Sequence, residues 1–182
     1  MITATLPDPT MVDENMSPEQ EEARLVSVFK PDIEFLREIP MFANLEDVEL
    51  ARLCQVASHR RYPAGTILLE EGQINGALYM VRKGQVELSR HRTLGEPFVK
   101  LGRGRFFGQV SMFDPAPVSA TVTAVTNVEV MCLKERPLCD LLIAYPEIGL
   151  RLMAAIIRDL AKRYHTLVKR ICEIAPSEHQ HL

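Results

Sequence analysis

The chain has 182 residues, of which 47% are hydrophobic and 25% are charged, so one domain with a hydrophobic core is expected. Its formal net charge of −3 is too small to indicate a nucleic-acid-binding protein from bulk charge alone. The sequence has no apolar run near the roughly 18 residues of a membrane span and no secretory signal pattern, which favours a cytoplasmic protein without membrane contact.

The side chains that carry most enzyme and metal chemistry are scattered. The cysteines Cys54, Cys132, Cys139 and Cys172 form no C-x-x-C pair, and no histidine lies at metal-ligand spacing from another ligand. The sequence also has no P-loop and no plausible pairing of a nucleophile with a base. We therefore expect no catalytic residue, no metal and no cofactor.

The N-terminal segment, residues 1–30, is acidic. Residues 1–24 contain Pro7, Pro9 and Pro18 and show no apolar periodicity. This composition predicts a tail that is disordered or loosely helical.

Two short helices are predicted after this tail. Ile33, Leu36 and Ile39 are spaced for one face of a helix, and Pro40 ends that helix. The apolar residues within residues 45–56 fit one face of a second helix.

From His59 onward the apolar period shifts toward two, and short segments alternate with turns that contain glycine or proline. The segments predicted as strands are Arg60–Tyr62, Thr66–Glu70, Ala77–Lys83, Val86–His91, Phe98–Leu101, Ser119–Val125 and Glu129–Leu133. Short strands with frequent turns are typical of an antiparallel sandwich or jelly roll. The predicted fold is therefore mainly β with flanking helices: an antiparallel double-stranded β-helix, or jelly roll, over about residues 59–134.

The C-terminal part is predicted to be helical, with a short helix over Arg136–Ala144 and a long one from Pro146 to about residue 174. In the long helix, apolar residues recur at alternating steps of three and four, and they are Leu150, Met153, Ile157, Leu160, Tyr164, Leu167, Ile171 and Ile174. Such a seam is typical of a coiled coil. Two interpretations are open: the helix packs on its own barrel, or two copies pair as a parallel homodimer through residues 150–174. We favour the homodimer because the seam is longer than a small barrel can cover.

The other face of the long helix is basic, which we interpret as the solvated flank of the coiled coil. Eight residues, 175–182, follow Ile174 as a C-terminal tail. They are too few for a DNA-reading module, so direct DNA binding is not expected. The predicted domain therefore spans residues 31–174.

The most informative segment is Phe106–Val122. It contains a tight glycine turn, a short helix-like stretch, two prolines and a small polar run that enters a strand. Such a segment directs backbone N–H groups and hydroxyls into one concavity, as phosphate sites do. Between Gly108 and Val122 the sequence has no arginine or lysine, so the expected counter-charge is missing.

Taken together, this arrangement resembles the cyclic-nucleotide-binding domain and is similar to the sensory half of the catabolite-activator family of bacterial regulators. The resemblance covers about Ile33 to Ile174. Its motifs are Tyr62-Pro63-Ala64-Gly65, Glu70-Glu71-Gly72, the segment Leu78–Gly84, the segment Leu101–Gly108 and Ser119-Ala120-Thr121-Val122.

The resemblance implies a set of ligand contacts in the segment that follows Phe107. The implied residues are Gly108, Gln109, Val110, Ser111, Val118, Ser119, Ala120 and Thr121. In the family, a glutamate accepts from the ribose hydroxyl where this chain has Gln109, and an arginine pairs with the cyclic phosphate where it has Val118. A neutral amide accepts a weaker bond than a carboxylate, and a structural role for Gln109 is equally open. Valine offers no counter-charge for a buried phosphate.

Four further residues are candidates for ligand contact. Arg103 and Arg105 stand where the family often has proline and an acid, and they are either exposed turn residues or replacements for the missing arginine. Arg163 and Tyr164 fall where the family's dimer helix touches the nucleotide base. Tyr164 also lies on the apolar seam, so dimer packing is an alternative role.

Three functions remain open, and none of them is enzymatic. The favoured one is a stand-alone signal-transduction module that binds a cyclic mono- or dinucleotide, such as cyclic AMP or cyclic di-GMP, and signals through its dimer helix. The first alternative is a nucleotide-free dimeric scaffold for an unknown protein partner. The second is a sensor of another anion that uses Arg103 and Arg105.

Overall fold

The computed structural model describes residues 16–90, 97–109 and 117–174. The helices in this part of the chain are α1 (Pro18–Arg37), α2 (Asp47–Val56), α3 (Glu135–Ala144) and α4 (Pro146–Ile174). The strands are β1 (Ala57–Tyr62), β2 (Ile67–Leu69), β3 (Ala77–Lys83), β4 (Val86–Ser89), β5 (Pro97–Leu101), β6 (Phe106–Phe107), β7 (Thr121–Ala124) and β8 (Val128–Lys134). Each predicted strand corresponds to an observed one with small changes at its ends, and β6 is an addition.

The strands form two four-stranded antiparallel sheets. One sheet has the order β1-β8-β3-β6, and the other has the order β2-β7-β4-β5. Neighbouring strands come from distant parts of the sequence, as in a jelly roll. The predicted fold class is therefore confirmed.

Strand β3 lies between two hydrophobic clusters. Leu78 and Met80 face the helices and pack in the cluster that α1, α2 and α3 cover. Ala77, Tyr79 and Val81 point the other way, into the interior between the sheets. Alternation along a strand explains this division, because successive side chains project to opposite faces.

Helix α1 begins far earlier than the sequence predicts. Ser17 caps it through a reciprocal pair of bonds: Ser17 Oγ accepts from the Gln20 N–H at 3.3 Å, and Gln20 Oε1 accepts from the Ser17 N–H at 3.0 Å. Pro18 occupies the first turn, where its missing N–H costs no helical bond. Of the two predicted states of this tail, disordered or loosely helical, the described part from Pro18 to Lys30 is helical, while residues 1–15 lie outside the described residues.

The early start of α1 is stabilised by packing. Leu25, Val26 and Phe29 are partly buried against the helix-side cluster. The helix also continues through Pro31, which removes one helical hydrogen bond but does not end the helix. Burial of one apolar face thus outweighs the polar composition of the segment.

An ionic cluster joins α1 to the barrel. Asp32 of α1 contacts Arg82 of β3, and its Oδ2 lies 3.2 Å from His59 Nε2 of β1. Burial raises the pKa of Asp32, but the hydrogen bonds and charges of His59 and Arg82 outweigh this effect and hold the pKa below its ordinary value of 3.8. The ring of Phe35 lies beside this cluster, with the Arg82 guanidinium 5.2 Å from its centroid.

Helix α4 is packed at its beginning and exposed beyond it. Ile148, Leu152 and Ala155 are buried. The apolar seam is exposed from its first residue, with Leu150 75% exposed and Ile157 61% exposed. From Leu160 on, every described side chain of the helix is exposed, so packing of the whole helix on its own barrel is wrong. Among the described residues, no helix is both long and apolar enough to cross a membrane.

The packed end of α4 is tied to α2 by Arg151. Its Nη1 donates to Glu46 Oε1 at 3.0 Å and to Glu49 Oε2 at 2.9 Å. Glu49 Oε2 also accepts from the Glu46 N–H at 2.8 Å, in the capping box that begins α2. One guanidinium therefore holds both carboxylates of the α2 cap.

The Asp32 cluster predicts a change in acid stability. Because the pKa of Asp32 is lower in the folded chain, its contribution to the free energy of unfolding is complete above pH 3.8 and is lost as pH falls through the lowered value. Asp32→Asn should cost about 1–2 kcal/mol at neutral pH and flatten the acid limb of a stability curve measured by urea unfolding. Asp140→Asn, which removes an exposed carboxylate of α3, is the control. An unchanged acid limb in Asp32→Asn would contradict the assignment.

Candidate ligand-binding site

A cavity of about 640 Å³ opens between the two sheets. Both sheets and residues 117–120 contribute to its wall, which is lined by Leu69, Leu88, Val99, Lys100, Leu101, Arg105, Phe106, Phe107, Gly108, Gln109, Pro117, Val118, Ser119, Ala120 and Val122. This size lies within the roughly 300–1,000 Å³ of small-molecule sites, and the lining is mostly apolar, as is typical of them.

Gly108 fixes the entry of the chain into the site. It follows β6 with φ of +86°, in the left-handed region that glycine adopts without strain. A Cβ there would lie 2.5 Å from the Ala77 carbonyl oxygen and 2.9 Å from Asn75 Nδ2. The buried Asn75 side chain donates to that same carbonyl at 2.7 Å, so this close approach is part of a polar contact. The predicted glycine turn is therefore required by both backbone and packing.

The wall beside Gly108 is aromatic. The rings of Tyr79 and Phe107 are stacked, with centroids 5.2 Å apart and planes inclined by 5°. Burial raises the pKa of Tyr79 to about 12, with smaller contributions from Cys132 and Tyr62. The Tyr79 hydroxyl therefore stays neutral at ordinary pH.

Val118 presents an apolar side chain to the cavity. Its N–H donates to the Gln73 carbonyl at 2.8 Å, and its carbonyl accepts from the Gly72 N–H at 2.9 Å. These two bonds fix the segment against the β2–β3 turn and direct the side chain inward, where it is 7% exposed. The position that the family resemblance associates with an arginine thus lies in the site, but without a charge.

The small residues after Val118 separate into two groups. Ser119 and Ala120 line the cavity, with Ser119 exposed at its mouth. Thr121 does not line it, because its Oγ1 accepts from the Glu71 N–H at 3.1 Å. The prediction that Thr121 belongs to the ligand contacts is therefore not supported by its geometry.

The structure separates Arg103 and Arg105. Arg103 donates to both carboxylate oxygens of Glu38, at 2.9 and 2.6 Å, and to the Arg82 carbonyl at 3.0 Å. It lies on the α1 side, so its predicted role as a ligand contact is corrected: a bidentate ion pair holds it outside the cavity. Arg105 is exposed and lines the cavity, and its role as a replacement for the missing arginine stays a prediction.

Gln109 also lines the cavity, while Val110 and Ser111 lie outside the described residues. Tyr164 of α4 is 65% exposed and does not line the cavity of its own chain. Arg163 lies in the same helix, and its side chain is outside the described set.

One cation near the site is absent from the sequence prediction. Arg90 Nε donates to the Ser119 carbonyl at 2.9 Å. Arg90 follows β4, and its contact depends on the pairing of β4 with β7, where Ser89 stands opposite Thr121. A contact between residues 29 positions apart gives no local sequence signal.

Chemically, the described site is an open cavity with a mostly apolar lining and a few polar groups at its mouth. Within residues 16–90, 97–109 and 117–174, no group of three or more His, Cys, Asp or Glu residues is arranged to hold a metal ion. These features describe a jelly-roll domain with a cavity of small-molecule size and a long C-terminal helix.

Comparison with known proteins identifies the family. The sequence model of the cyclic nucleotide-binding domain matches residues 59–145. The N-terminal domain of a transcriptional regulator from Streptomyces coelicolor A3(2) superposes with a TM-score of 0.67 at 31% identity, covering 80% of this chain and 99% of that one. The chain belongs to the cyclic nucleotide-binding domain family.

Two groups of regulators are similar in sequence. The cAMP-dependent protein kinase regulatory subunit of Aspergillus fumigatus is 34% identical over 53% of this chain, and the matched region is 23% of that protein. The CRP-like cAMP-activated global transcriptional regulator of Mycobacterium tuberculosis is 26% identical over 79% of this chain and 65% of that protein. The chain thus spans about a quarter of the kinase subunit and about two thirds of the transcriptional regulator.

The role of Gly108 predicts opposite effects for two glycine substitutions. Gly108→Ala should lower the free energy of unfolding by about 1–3 kcal/mol, because it combines a left-handed backbone with a 2.5 Å contact. Gly149→Ala, in α4, meets no atom closer than 3.7 Å and should raise it by about 0.5–1 kcal/mol. Urea unfolding of both variants is the measurement. Equal effects of the two changes would contradict this reading of Gly108.

Proposed function

We propose that the chain is a regulatory module that binds a cyclic nucleotide in the cavity beside Gly108 and transmits binding through α4. The observation that carries this proposal is the cavity of about 640 Å³ entered at a glycine turn, in a chain of the cyclic nucleotide-binding domain family. The similar proteins include a cAMP-dependent protein kinase regulatory subunit and a cAMP-activated transcriptional regulator, which supports a regulatory, non-enzymatic role.

The described polar groups give the ligand a defined contact set. Gln109 and Ser119 line the cavity and offer an amide and a hydroxyl. The apolar wall suits the base of a nucleotide, since aromatic and aliphatic side chains exclude water from a planar ring. Binding energy then comes mainly from burial, with a smaller polar contribution than a glutamate and an arginine would give.

A nucleotide-free scaffold is the second candidate, and Val118 favours it. Its side chain is 7% exposed and fills the position where a phosphate would need a counter-charge. In that case the domain would retain its fold and its exposed helix but bind a protein partner alone. The two candidates make different predictions for ligand titration.

We also propose that two copies pair through the seam of α4. The exposed apolar residues on this helix are Leu150, Met153, Ile157, Leu160, Tyr164, Leu167 and Val168. A patch of this length, repeated at coiled-coil spacing, is typical of a helix that a second helix covers. In a parallel pair, the same face of each copy meets its equivalent.

Ligand binding would reach this helix through its packed end. Leu152 and Ile148 of α4 belong to the same cluster as Met80 of β3, and the neighbouring residue Tyr79 of that strand stacks on Phe107 of the cavity. A ligand that favours one placement of these side chains shifts the population of helix arrangements by its difference in affinity.

Titration tests the ligand. Calorimetry at physiological salt with cyclic AMP, cyclic GMP and cyclic di-GMP should show binding of at least one, and Ser119→Asp should abolish it by placing a carboxylate at the mouth. Val118→Arg combined with Gln109→Glu should strengthen cyclic AMP binding roughly tenfold or more, through charge-assisted hydrogen bonds. Val125→Arg, outside the cavity lining, is the matched control. If the wild-type chain binds none of the three ligands, the result supports the nucleotide-free scaffold instead.

Dimerisation is tested separately. Light scattering at high micromolar concentration should give the mass of a dimer for the wild-type chain. Ile157→Glu should give a monomer, because it buries two carboxylates at one level of the seam. Thr166→Glu adds the same charge on another face of α4 and should leave the mass unchanged. A monomeric wild-type chain would exclude the proposed pairing.

A further inference from the structure

Exposed apolar surface is found on α3 as well as on the α4 seam. Ile143, in the last turn of α3, is 77% exposed, and Leu150, the first residue of the seam, is 75% exposed. A single exposed isoleucine needs no explanation, but one that extends a longer apolar surface indicates an interaction site. Whether Ile143 belongs to the same surface as the seam depends on how α3 lies against α4.

The end of α3 contacts the first turn of α4 at a glycine. An ideal Cβ on Gly149 would lie 3.7 Å from Leu142 Cβ and 3.8 Å from Leu142 Cδ2. Gly149 immediately precedes Leu150, and a single residue, Tyr145, connects the two helices. Helix α3 therefore borders the seam at its first residue.

The helical rotation of α3 directs Ile143 outward on the side of α4. Leu138 and Leu141 are buried in the helix-side cluster. Leu142 follows Leu141 by about 100° of rotation and contacts α4, and Ile143 follows Leu142 by about the same angle. Ile143 thus projects beyond the contact between the two helices, away from the cluster and beside the beginning of the seam.

Coiled-coil geometry provides a place for this side chain. With Leu150 at heptad position a and Met153 at d, Gly149 is at g and the half-buried Ala154 is at e. In a parallel pair, a g residue faces the e residue of the following heptad in the other helix, so Gly149 of one copy faces Ala154 of the second copy. Both residues are small, and they leave space at the flank of the seam on the side where α3 lies.

We propose that Ile143 of each copy packs against Ala154 of the second copy, so that the dimer interface includes α3 as well as the α4 seam. The inference rests on the parallel pairing proposed above and adds a second surface to it. The occupant is a second copy because Ile143 continues the seam, and because the flank beside Ala154 is apolar. Two-fold symmetry makes the same contact twice in each dimer.

Disulfide trapping tests this contact directly. The background carries Cys139→Ser and Cys172→Ser, which replace the exposed thiols of the described residues. A full-length chain with Ile143→Cys is mixed with one that carries Ala154→Cys, in a glutathione redox buffer. The mixture should give a cross-linked heterodimer, and each chain alone should give little, because a disulfide needs Cα atoms within about 7 Å. Ile74→Cys, at a 68% exposed isoleucine of the β2–β3 turn, is the matched control and should not cross-link to Ala154→Cys.

A dilution series in the analytical ultracentrifuge measures the contribution to dimer affinity. Ile143→Glu should raise the dissociation constant of the dimer roughly tenfold or more, since each dimer would bury two carboxylates beside alanine. Ile74→Glu changes an isoleucine of similar exposure far from α3 and should leave the dissociation constant within about twofold. An equal effect of the two substitutions would overturn the inference.

Further outcomes separate this inference from the pairing itself. A monomeric wild-type chain would refute both. A dimer that Ile157→Glu dissociates, but that shows neither the mixed cross-link nor a change with Ile143→Glu, would retain the pairing and overturn the Ile143 contact. In the monomeric Ile157→Glu background, Ile143→Glu should leave the free energy of unfolding unchanged. A clear decrease there would show that the same chain covers Ile143, which would also overturn the inference.

Discussion

The structure depends on strand β3, which is buried on both faces. Strand β3 sends Leu78 and Met80 to the helices and Tyr79 and Val81 to the space between the sheets, so it belongs to both hydrophobic clusters. Its backbone also meets the site directly, since the Ala77 carbonyl lies against Gly108. Because protein interiors are packed at crystal-like density, a displacement of this strand would shift side chains in both hydrophobic clusters. The cavity and the helices are thus coupled, because both pack against strand β3.

Much of this fold is predictable from local sequence. Short alternating segments separated by glycine turns indicate the jelly roll, and the step of three and four along residues 150–174 indicates the long helix. The beginning of α1 is the main failure. Ser17 and Gln20 form a capping box that resembles ordinary polar loop sequence, and Pro31 suggests a boundary where the helix continues. Tertiary packing of Leu25, Val26 and Phe29 decides the outcome, and local propensity does not report it.

The site, like the fold, has one part that is predictable from local sequence and one part that is not. Gly108, Gln109 and the run from Val118 to Ala120 are close in sequence, and a local motif suffices to place them together. The arginines are not predictable by that route. Arg103 is bound by Glu38, 65 residues away, and Arg90 meets Ser119 across two paired strands. Their positions follow from sheet register and from the docking of α1, which exist only in the folded chain.

The hydrogen bonds from Arg151 to Glu46 and Glu49 have a mechanical consequence. These bonds fix the N-terminal part of α4 to α2. From Leu160 onward, every described side chain of the helix is exposed. From Arg151 to Ile174 the helix extends about 35 Å at its standard rise. A tilt of the helix axis by about 10° at Arg151 would therefore displace the C-terminal end of α4 by about 6 Å. A small rearrangement at the packed end would therefore be enlarged at the far end of the helix.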